Sequence, residues 1–525
     1  MMKTNQDWWK EAVVYQIYPR SFYDSDGDGV GDLEGIRQKL DYLKELGITA
    51  LWISPVYPSP GKDCGYDISS YVDIDPLFGS MEIFRKLLAD AHEKGIKVLM
   101  DLVINHTSEE HPWFVESREG NTHKRDWYIW HPGKDGKKPN NWIASLALTN
   151  AWFWDEKRKE YYLSTFTKHQ PELNWRHPEV KAEIFNVLRF WLDLGVDGFR
   201  MDVVNWYIKD DQFRSNPWSL KLFPDLFQKH IYDRNRPETH DICREIRALT
   251  DSYPDERMLV GEIFTDNAEE AASYHGKKLD ELHMAFNFHF MYQFWGAKRF
   301  YKSIVRWYSA LPEGAWPNFT LSNHDYIRHG TRYRWGKFTE RRLRLAITML
   351  MTLRGTPFLY YGEEIGMENT AVPKGKAMDP LERFPFIPGR ARARTPMQWN
   401  SGKNAGFTQG EPWLPINSKF VRVNVEDELK DPESLLRYYK QVIALRQGNY
   451  ALKKGDFRFL LSGHSQLIAF ERTWEGKKAT VILNFAHHDV FIPEGIVERG
   501  TLPDFGTHGM KKGVLAALEG RIYLS

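Results

Sequence analysis

Short apolar runs recur along most of the chain. They are Ala12–Tyr18, Ala50–Ile53, Lys97–Val103, Val196–Asp202, Met258–Ile263, Ala285–Phe290, Asn318–Ser322 and Thr356–Tyr360. Helical spacing of apolar residues covers Leu33–Leu46, Met81–Lys94 and Pro178–Leu194, each just ahead of the next run. Strand-like runs alternating with amphipathic helices predict a parallel sheet. Eight of them predict a closed (β/α)8 barrel over an open doubly wound sheet. The fold class expected is α/β.

Two segments break this rhythm. Residues 105–175 are rich in Trp, Asn, His and Pro and show no helical period. A stretch that long reads as a subdomain inserted after strand three. Beyond residue 451 the pattern becomes alternating, in Phe457–Ser462, Leu467–Arg472 and Ala479–Asn484. That predicts a C-terminal antiparallel β-sandwich domain. The expected organisation is a catalytic barrel over 1–104 and 176–450, the inserted subdomain over 105–175, and the β domain over 451–525. A chain of 525 residues exceeds one ordinary core, in keeping with several domains.

Composition narrows the function classes. Hydrophobic residues make up 42% and charged residues 27%, a globular balance. A net charge of +1, with no long basic run, disfavours nucleic-acid and anionic-membrane partners. No apolar run is long enough to cross a bilayer, and Met1–Lys10 lacks the apolar core of a signal peptide. The only cysteines, Cys64 and Cys243, make neither a metal-ligand cluster nor a disulfide framework. A cytoplasmic location is expected. The aromatic share of 14%, with 20 Trp, suits a large aromatic core and equally a surface that stacks on sugar rings.

Polar residues that follow the strands carry the chemistry, because barrel enzymes keep their sites at the C-terminal strand ends. They are Asn105-His106, Asp202, Glu262 and His324-Asp325. In Gly198-Phe-Arg-Met-Asp202 the strand period turns Arg200 and Asp202 to one face. A cation there keeps the carboxylate ionised, as a nucleophile requires. Glu262 has no cation beside it in sequence, so a raised pKa suited to a general acid is expected. Two opposed carboxyl groups are what glycoside hydrolysis needs.

The motifs point to a family. They are Asp101-Leu-Val-Ile-Asn-His106, Gly198-Phe-Arg-Met-Asp202, Gly261-Glu262, Asn323-His324-Asp325, Gln170-Pro-Glu-Leu-Asn174 and Arg394-Thr-Pro-Met-Gln-Trp399. On these the chain resembles, over nearly its whole length, α-amylase-superfamily glycoside hydrolases of the oligo-1,6-glucosidase and α-glucosidase branch. The resemblance implies that Asp202 is the nucleophile, Glu262 the acid/base and Asp325 the third carboxylate, which binds ring hydroxyls. It implies a ring clamp of Asp63 and Tyr66, with Arg394 closing the far end of the pocket. His106, Arg200 and His324 would hydrogen-bond the sugar, and Phe166 and Gln170 would line the wall. Val203, next to the nucleophile, accompanies α-1,6 cleavage in that branch.

The expected activity is a retaining, exo-acting α-glucosidase on short oligosaccharides, of the isomalto type. A transglucosylase, or an α-1,4-preferring enzyme, would use the same residues. A non-catalytic partner subunit would have lost the acids and gained an anchor, and neither is seen in the sequence. The arginine-rich loop of sucrose isomerases is not visible either. Asp24-Ser-Asp26-Gly-Asp28-Gly-Val30-Gly-Asp32 matches the first part of an EF-hand loop, although Gly35 takes the place of its last ligand. The resemblance implies a structural Ca2+ on Asp24, Asp26, Asp28, the Val30 carbonyl and Asp32. No organic cofactor is expected, and the chain would act as a monomer or dimer. Departures from the branch fall at Ser145–Asn150, Tyr326-Ile327, Gly389–Ala393 and Asn400. They lie near the expected acceptor side.

Overall fold

The computed structural model describes residues 7–222, 225–373, 375–376, 378–384, 387, 389–498, 501–509 and 511–525. The first six residues of the Met1–Lys10 segment lie outside them.

Eight strands build the core: β1 Val14–Ile17, β2 Ala50–Ile53, β3 Lys97–Leu102, β4 Gly198–Met201, β5 Met258–Gly261, β6 Met284–Ala285, β7 Asn318–Thr320 and β8 Thr356–Tyr360. They pair in the order β6–β5–β4–β3–β2–β1–β8–β7, and every pairing is parallel. Between the end strands β6 and β7 sits the short helix Phe288–Met291, whose Phe290 meets Phe319 edge-on at 4.8 Å. This is the barrel expected from the alternating pattern.

Strand alternation sorts the side chains into two layers. Val14, Ala50, Trp52, Leu99, Met258, Val260, Met284 and Phe358 form one buried cluster inside the ring. Their neighbours Tyr15, Leu51, Met100, Phe199, Leu259 and Leu359 belong to a second cluster, under the surrounding helices. The inner row continues along the strands into Asp101, Arg200, Asp202 and Glu262. Register then sets their heights. Asp101 lies opposite Arg200, and Arg200 opposite Val260. Asp202 and Glu262 therefore stand together, one step further toward the mouth.

Gly198 makes that register possible. Its φ is 150°, and a Cβ there would sit 2.0 Å from the Met258 carbonyl oxygen. Only glycine lets β4 and β5 approach so closely.

Several elements differ from the sequence reading. The helix expected over Leu33–Leu46 breaks at Lys39 into Leu33–Gln38 and Leu40–Leu46. The Lys39 ammonium lies 3.9 Å from the centre of the Tyr23 ring. Strand six does not run on to Phe290: it ends at Ala285, and Asn287 caps the next helix by accepting from the Phe290 N–H at 3.0 Å. The segment after strand three is not free of helix. Pro112–Arg118 is helical, with Pro112 in its first turn and His111 as its cap. At seven residues it is too short to show a period. A three-stranded sheet of Trp130–His131, Glu160–Leu163 and Trp152–Asp155 completes that region.

At the C-terminus five antiparallel strands run in the order Asp456–Phe459, Leu467–Trp474, Lys477–Asn484, Gly520–Leu524 and Phe505–Gly506. A ribbon of Val490–Phe491 and Val514–Leu515 packs over Leu467, Ala469, Ile482 and Tyr523. On the barrel side the buried Arg472 donates to the carbonyls of Thr352 at 2.8 Å and Leu452 at 2.9 Å. Among the described residues no helix is long and apolar enough to cross a membrane.

Gly198→Ala should push β4 away from β5 and cost about 1–3 kcal/mol or more. A lowered urea midpoint would register it, and an unchanged midpoint would contradict the register argument.

Candidate active site

A cavity of about 760 Å³ opens at the C-terminal ends of the barrel strands. Asp63, Tyr66, His106, Phe166, Gln170, Asp202, Val203, Glu262 and Asp325 all line it. Arg200, His324 and Arg394 stand behind that lining, each only 1% exposed.

Arg200 is the hub. Its guanidinium lies 2.8 Å from Asp101 and 2.5 Å from Asp202, and it also binds Glu262. The sequence reading gave the cation to Asp202 alone, and the structure corrects this. Glu262 shares it, because register places it level with Asp202. Burial pushes the Asp202 carboxyl well up, and the neighbouring Glu262 adds to the rise against the pull of Arg200. Burial likewise pushes Asp101 up to about 6, also against Arg200. Two facing carboxyl groups with one shared cation hold a proton at a pH where a free aspartate has lost it. The pair is therefore poised for one ionised and one protonated member.

The chain turns sharply after the nucleophile position. Val203 has φ 39° and ψ 48°, a left-handed conformation unusual for a β-branched residue. The turn aims its N–H toward a Glu262 oxygen at 3.4 Å.

Beside the carboxylates lies a buried ring clamp. The Tyr66 hydroxyl bridges Asp101 at 3.0 Å and His324 Nε2 at 2.7 Å. Gln16 reaches His324 Nδ1 at 2.7 Å. Burial drives the His324 pKa far down, so the ring is neutral. The tautomer that fits donates Nε2–H to Tyr66 and accepts from Gln16 at Nδ1. Burial lowers the pKa of His106 too. Its Nε2 lies 3.0 Å from the Tyr66 carbonyl and 3.1 Å from the Gln170 amide nitrogen. Phe166 packs on His106 at 5.1 Å and stacks on Trp206 at 4.8 Å.

The far end of the pocket is closed by a residue the sequence reading missed. Asp63 pairs with Arg390, not with Arg394, and accepts from Gln170 at 3.1 Å. Arg390 also binds Asp325 at 3.3 Å and Asp379 at 3.0 Å. Arg394 instead donates to Asp325 at 2.6 Å and to the His324 carbonyl at 2.8 Å. Burial would raise the Asp325 carboxyl, but Arg390 and Arg394 together hold it well below the usual range. The available signal was an arginine one 3-10 turn ahead of Arg394, within Arg390–Ala393. The Glu of Gln170–Asn174 is explained as well. Glu172 is buried against Lys209, whose ammonium reaches Asn105 at 2.9 Å and so ties the subdomain to the barrel mouth.

Residues 16–455 match the profile of the α-amylase catalytic domain. The chain belongs to the α-amylase family. It is 41% identical to an oligo-1,6-glucosidase of Parageobacillus thermoglucosidasius over 514 residues, 91% of this chain and 90% of that protein. Among solved structures, the α-glucosyl transfer enzyme XgtA superposes with a TM-score of 0.93 at 38% identity, covering 99% of this chain and all (100%) of that one. Isomaltulose synthase from Erwinia rhapontici NX5 superposes at 0.91 with 33% identity, covering 99% of both chains.

This α-amylase-family chain also has the acidic loop expected after strand one. Asp24, Asp26 and Asp28 bring carboxylate oxygens within 4.8 Å of one another. Three converging carboxylates suit a hard, oxygen-seeking cation. Burial raises the Asp28 carboxyl, and Asp26 and Asp24 raise it further. Val30 gives its N–H to Asp28 at 2.7 Å. Asp32 follows this group and has hydrogen-bond partners of its own. It accepts from Ser25 N–H at 2.8 Å and caps the helix Leu33–Gln38 through Gly35 N–H at 2.6 Å.

Because the fold raises the Asp202 pKa, the folded chain binds more protons than the unfolded one once pH climbs above about 4. Stability from that group is full at low pH and falls as pH rises. Asp202→Asn should therefore unfold at a higher temperature than the parent, by a margin that grows from about pH 4 upward. Turnover should fall by about 10³-fold or more. A variant less stable than the parent at pH 7 would contradict this.

Proposed function

We propose that this chain is a retaining, exo-acting α-glucosidase that releases single glucose units from short α-glucosides, preferentially α-1,6-linked. One observation carries the reading. The cavity is closed at one end by Asp63, Arg390 and Asp325, and the Asp202–Glu262 pair faces its interior. A closed end admits one terminal sugar ring and no longer chain beyond it.

The chemistry follows from the shared proton. The ionised Asp202 oxygen attacks the anomeric carbon while Glu262 passes its proton to the departing glycosidic oxygen. One carbon–oxygen bond breaks, and an ester to Asp202 forms. Arg200 then stabilises the newly ionised Glu262, which it already touches. Glu262 next takes a proton from water, whose oxygen displaces Asp202. Two inversions return the α-anomer. Asp325, kept ionised by its arginines, binds ring hydroxyls and the positive charge that develops on the ring. Tyr66 stacks on the apolar face of the sugar.

The preference for α-1,6 is supported by Val203, which lines the cavity beside the nucleophile. Such steric discrimination is worth about 1–3 kcal/mol. It is supported as well by the names of the relatives at about 40% identity. A second reading, transfer of the glucosyl group to another sugar, draws support from the likeness to XgtA. It needs no residue beyond those named.

The same proposal includes a structural Ca2+ on Asp24, Asp26, Asp28, the Val30 carbonyl and Asp32, ordering the loop after β1 and taking no part in the chemistry; the convergence of the first three carboxylates supports it. It also includes a cytoplasmic site of action, in keeping with two buried, unpaired cysteines, Cys64 and Cys243.

Glu262→Gln should lower turnover by about 10²–10⁴-fold with an unchanged circular dichroism spectrum. NMR of the first-formed glucose should show the α-anomer, and a β-anomer would rule out the double displacement. Added Ca2+ should raise the unfolding temperature of the parent and leave Asp26→Asn unmoved. Equal responses in both would remove the ion from the proposal.

A further inference from the structure

We propose that Gln16 is a positioning residue of the active site. By donating an N–H to His324 Nδ1 it keeps that ring singly protonated, so that Asp325 meets the sugar with a carboxylate oxygen not paired to a cation. The inference deepens the glucosidase reading, and its kinetic test rests on that reading.

Gln16 does not line the cavity. It lies on β1, 1% exposed, opposite Trp52 in the register of β1 and β2. Two residues earlier Val14 faces the barrel interior, so strand alternation turns Gln16 inward as well. Its amide nitrogen reaches Ser54 Oγ at 3.3 Å and His324 Nδ1 at 2.7 Å. Its Oε1 has no hydrogen-bond partner among the described residues. An amide inside a barrel core costs stability where it is left half satisfied. Here it is held by what its nitrogen donates.

The neighbours of His324 settle which way the amide faces. His324 Nε2 lies 2.7 Å from the Tyr66 hydroxyl and 3.1 Å from Asp325 Oδ2. A carboxylate only accepts, so Nε2 carries a proton. A second proton would sit on Nδ1, where it meets the Gln16 N–H. Turning the amide over would offer Oε1 to that proton and make the ring an imidazolium. Burial opposes this, as do Arg394, Arg200 and Arg390, while Asp325 favours it. Asp101 stands one hydrogen bond further away, beyond the Tyr66 hydroxyl at 3.0 Å. Tyr18 and Trp52, which pack on the ring at 6.2 Å and 5.9 Å, bring it no charge.

The consequence falls on Asp325. Arg390 and Arg394 both bind its Oδ1, at 3.3 Å and 2.6 Å. Oδ2 is the oxygen beside His324. An imidazolium there would form an ion pair on Oδ2 and cancel charge that otherwise stabilises the positive ring of the transition state. A neutral N–H orients the same oxygen and leaves its charge in place. Gln16 thus acts through His324 on Asp325 without touching the sugar.

The test is spectroscopic and kinetic, on the full chain. In protein carrying isotope-labelled histidine, the nitrogen NMR signals of His324 are assigned by their loss in His324→Gln. They should show a bare Nδ1 and a protonated Nε2, unchanged from about pH 5 to pH 8. Gln16→Glu sets an acceptor against Nδ1 and should place protons on both nitrogens. Gln16→Met removes the donor and adds no acceptor, so it controls for lost packing. With isomaltose, kcat of Gln16→Glu should lie at least about 10-fold below that of Gln16→Met and recover as pH rises, with KM changed less. A parent spectrum with a proton on Nδ1 would overturn the inference. Equal kcat and one pH profile in the two variants would overturn it as well. If Gln16→Glu does not fold, the parent spectrum decides. A parent that releases no glucose from isomaltose overturns the glucosidase reading, and the role of Gln16 then stands or falls on the spectrum.

Discussion

One guanidinium shared by three carboxylates governs this active site. Arg200 touches Asp101, Asp202 and Glu262 from the floor of the cavity. It can do so only because β3, β4 and β5 hold one register, and Gly198 permits that register. Whichever of Asp202 and Glu262 carries negative charge at a given moment, the same cation lies beside it. A double displacement moves charge from one carboxylate to the other and back. A fixed positive group between them serves both steps without moving, which is the sense in which the site is preorganised.

Much of this was legible in the sequence, and the exceptions have a common cause. Short apolar runs set between amphipathic helices located the barrel strands, and two of them, Ala50–Ile53 and Thr356–Tyr360, keep their expected bounds. Arg200 and Asp202 share a face for a reason internal to one strand. The tie from Arg200 to Glu262 depends on alignment between strands far apart in sequence. So does the closure of the pocket by Arg390, which meets Asp63 across more than three hundred residues (|i−j| of 327). The missed helix at Pro112–Arg118 is too short to show a period. Asp32 serves as a helix cap in the fold, a role that an acidic residue shows in a sequence no differently from a ligand. Local pattern was readable, and pairings made by the folded barrel were not.

The arrangement also divides the cavity. Asp63, Arg390, Asp325 and Arg394 neutralise one another at the closed end, so ordered charge is concentrated where a single sugar ring would sit. Loops from the subdomain and from strands four, five and seven supply the open side, and these contribute mainly apolar groups. The barrel strands fix the reaction. The loops set what leaves or arrives at the other side of the bond.

Three carboxylates around one cation is a costly way to fill a barrel. Two negative charges are left uncompensated by Arg200, and burial makes each of them dearer. The raised pKa values of Asp101 and Asp202 show the fold relieving part of that strain by keeping protons. A core of apolar residues at these positions would be more stable and would catalyse nothing. Those protons answer the crowded charge, and attack by Asp202 requires that it lose its own while Glu262 holds one for the glycosidic oxygen.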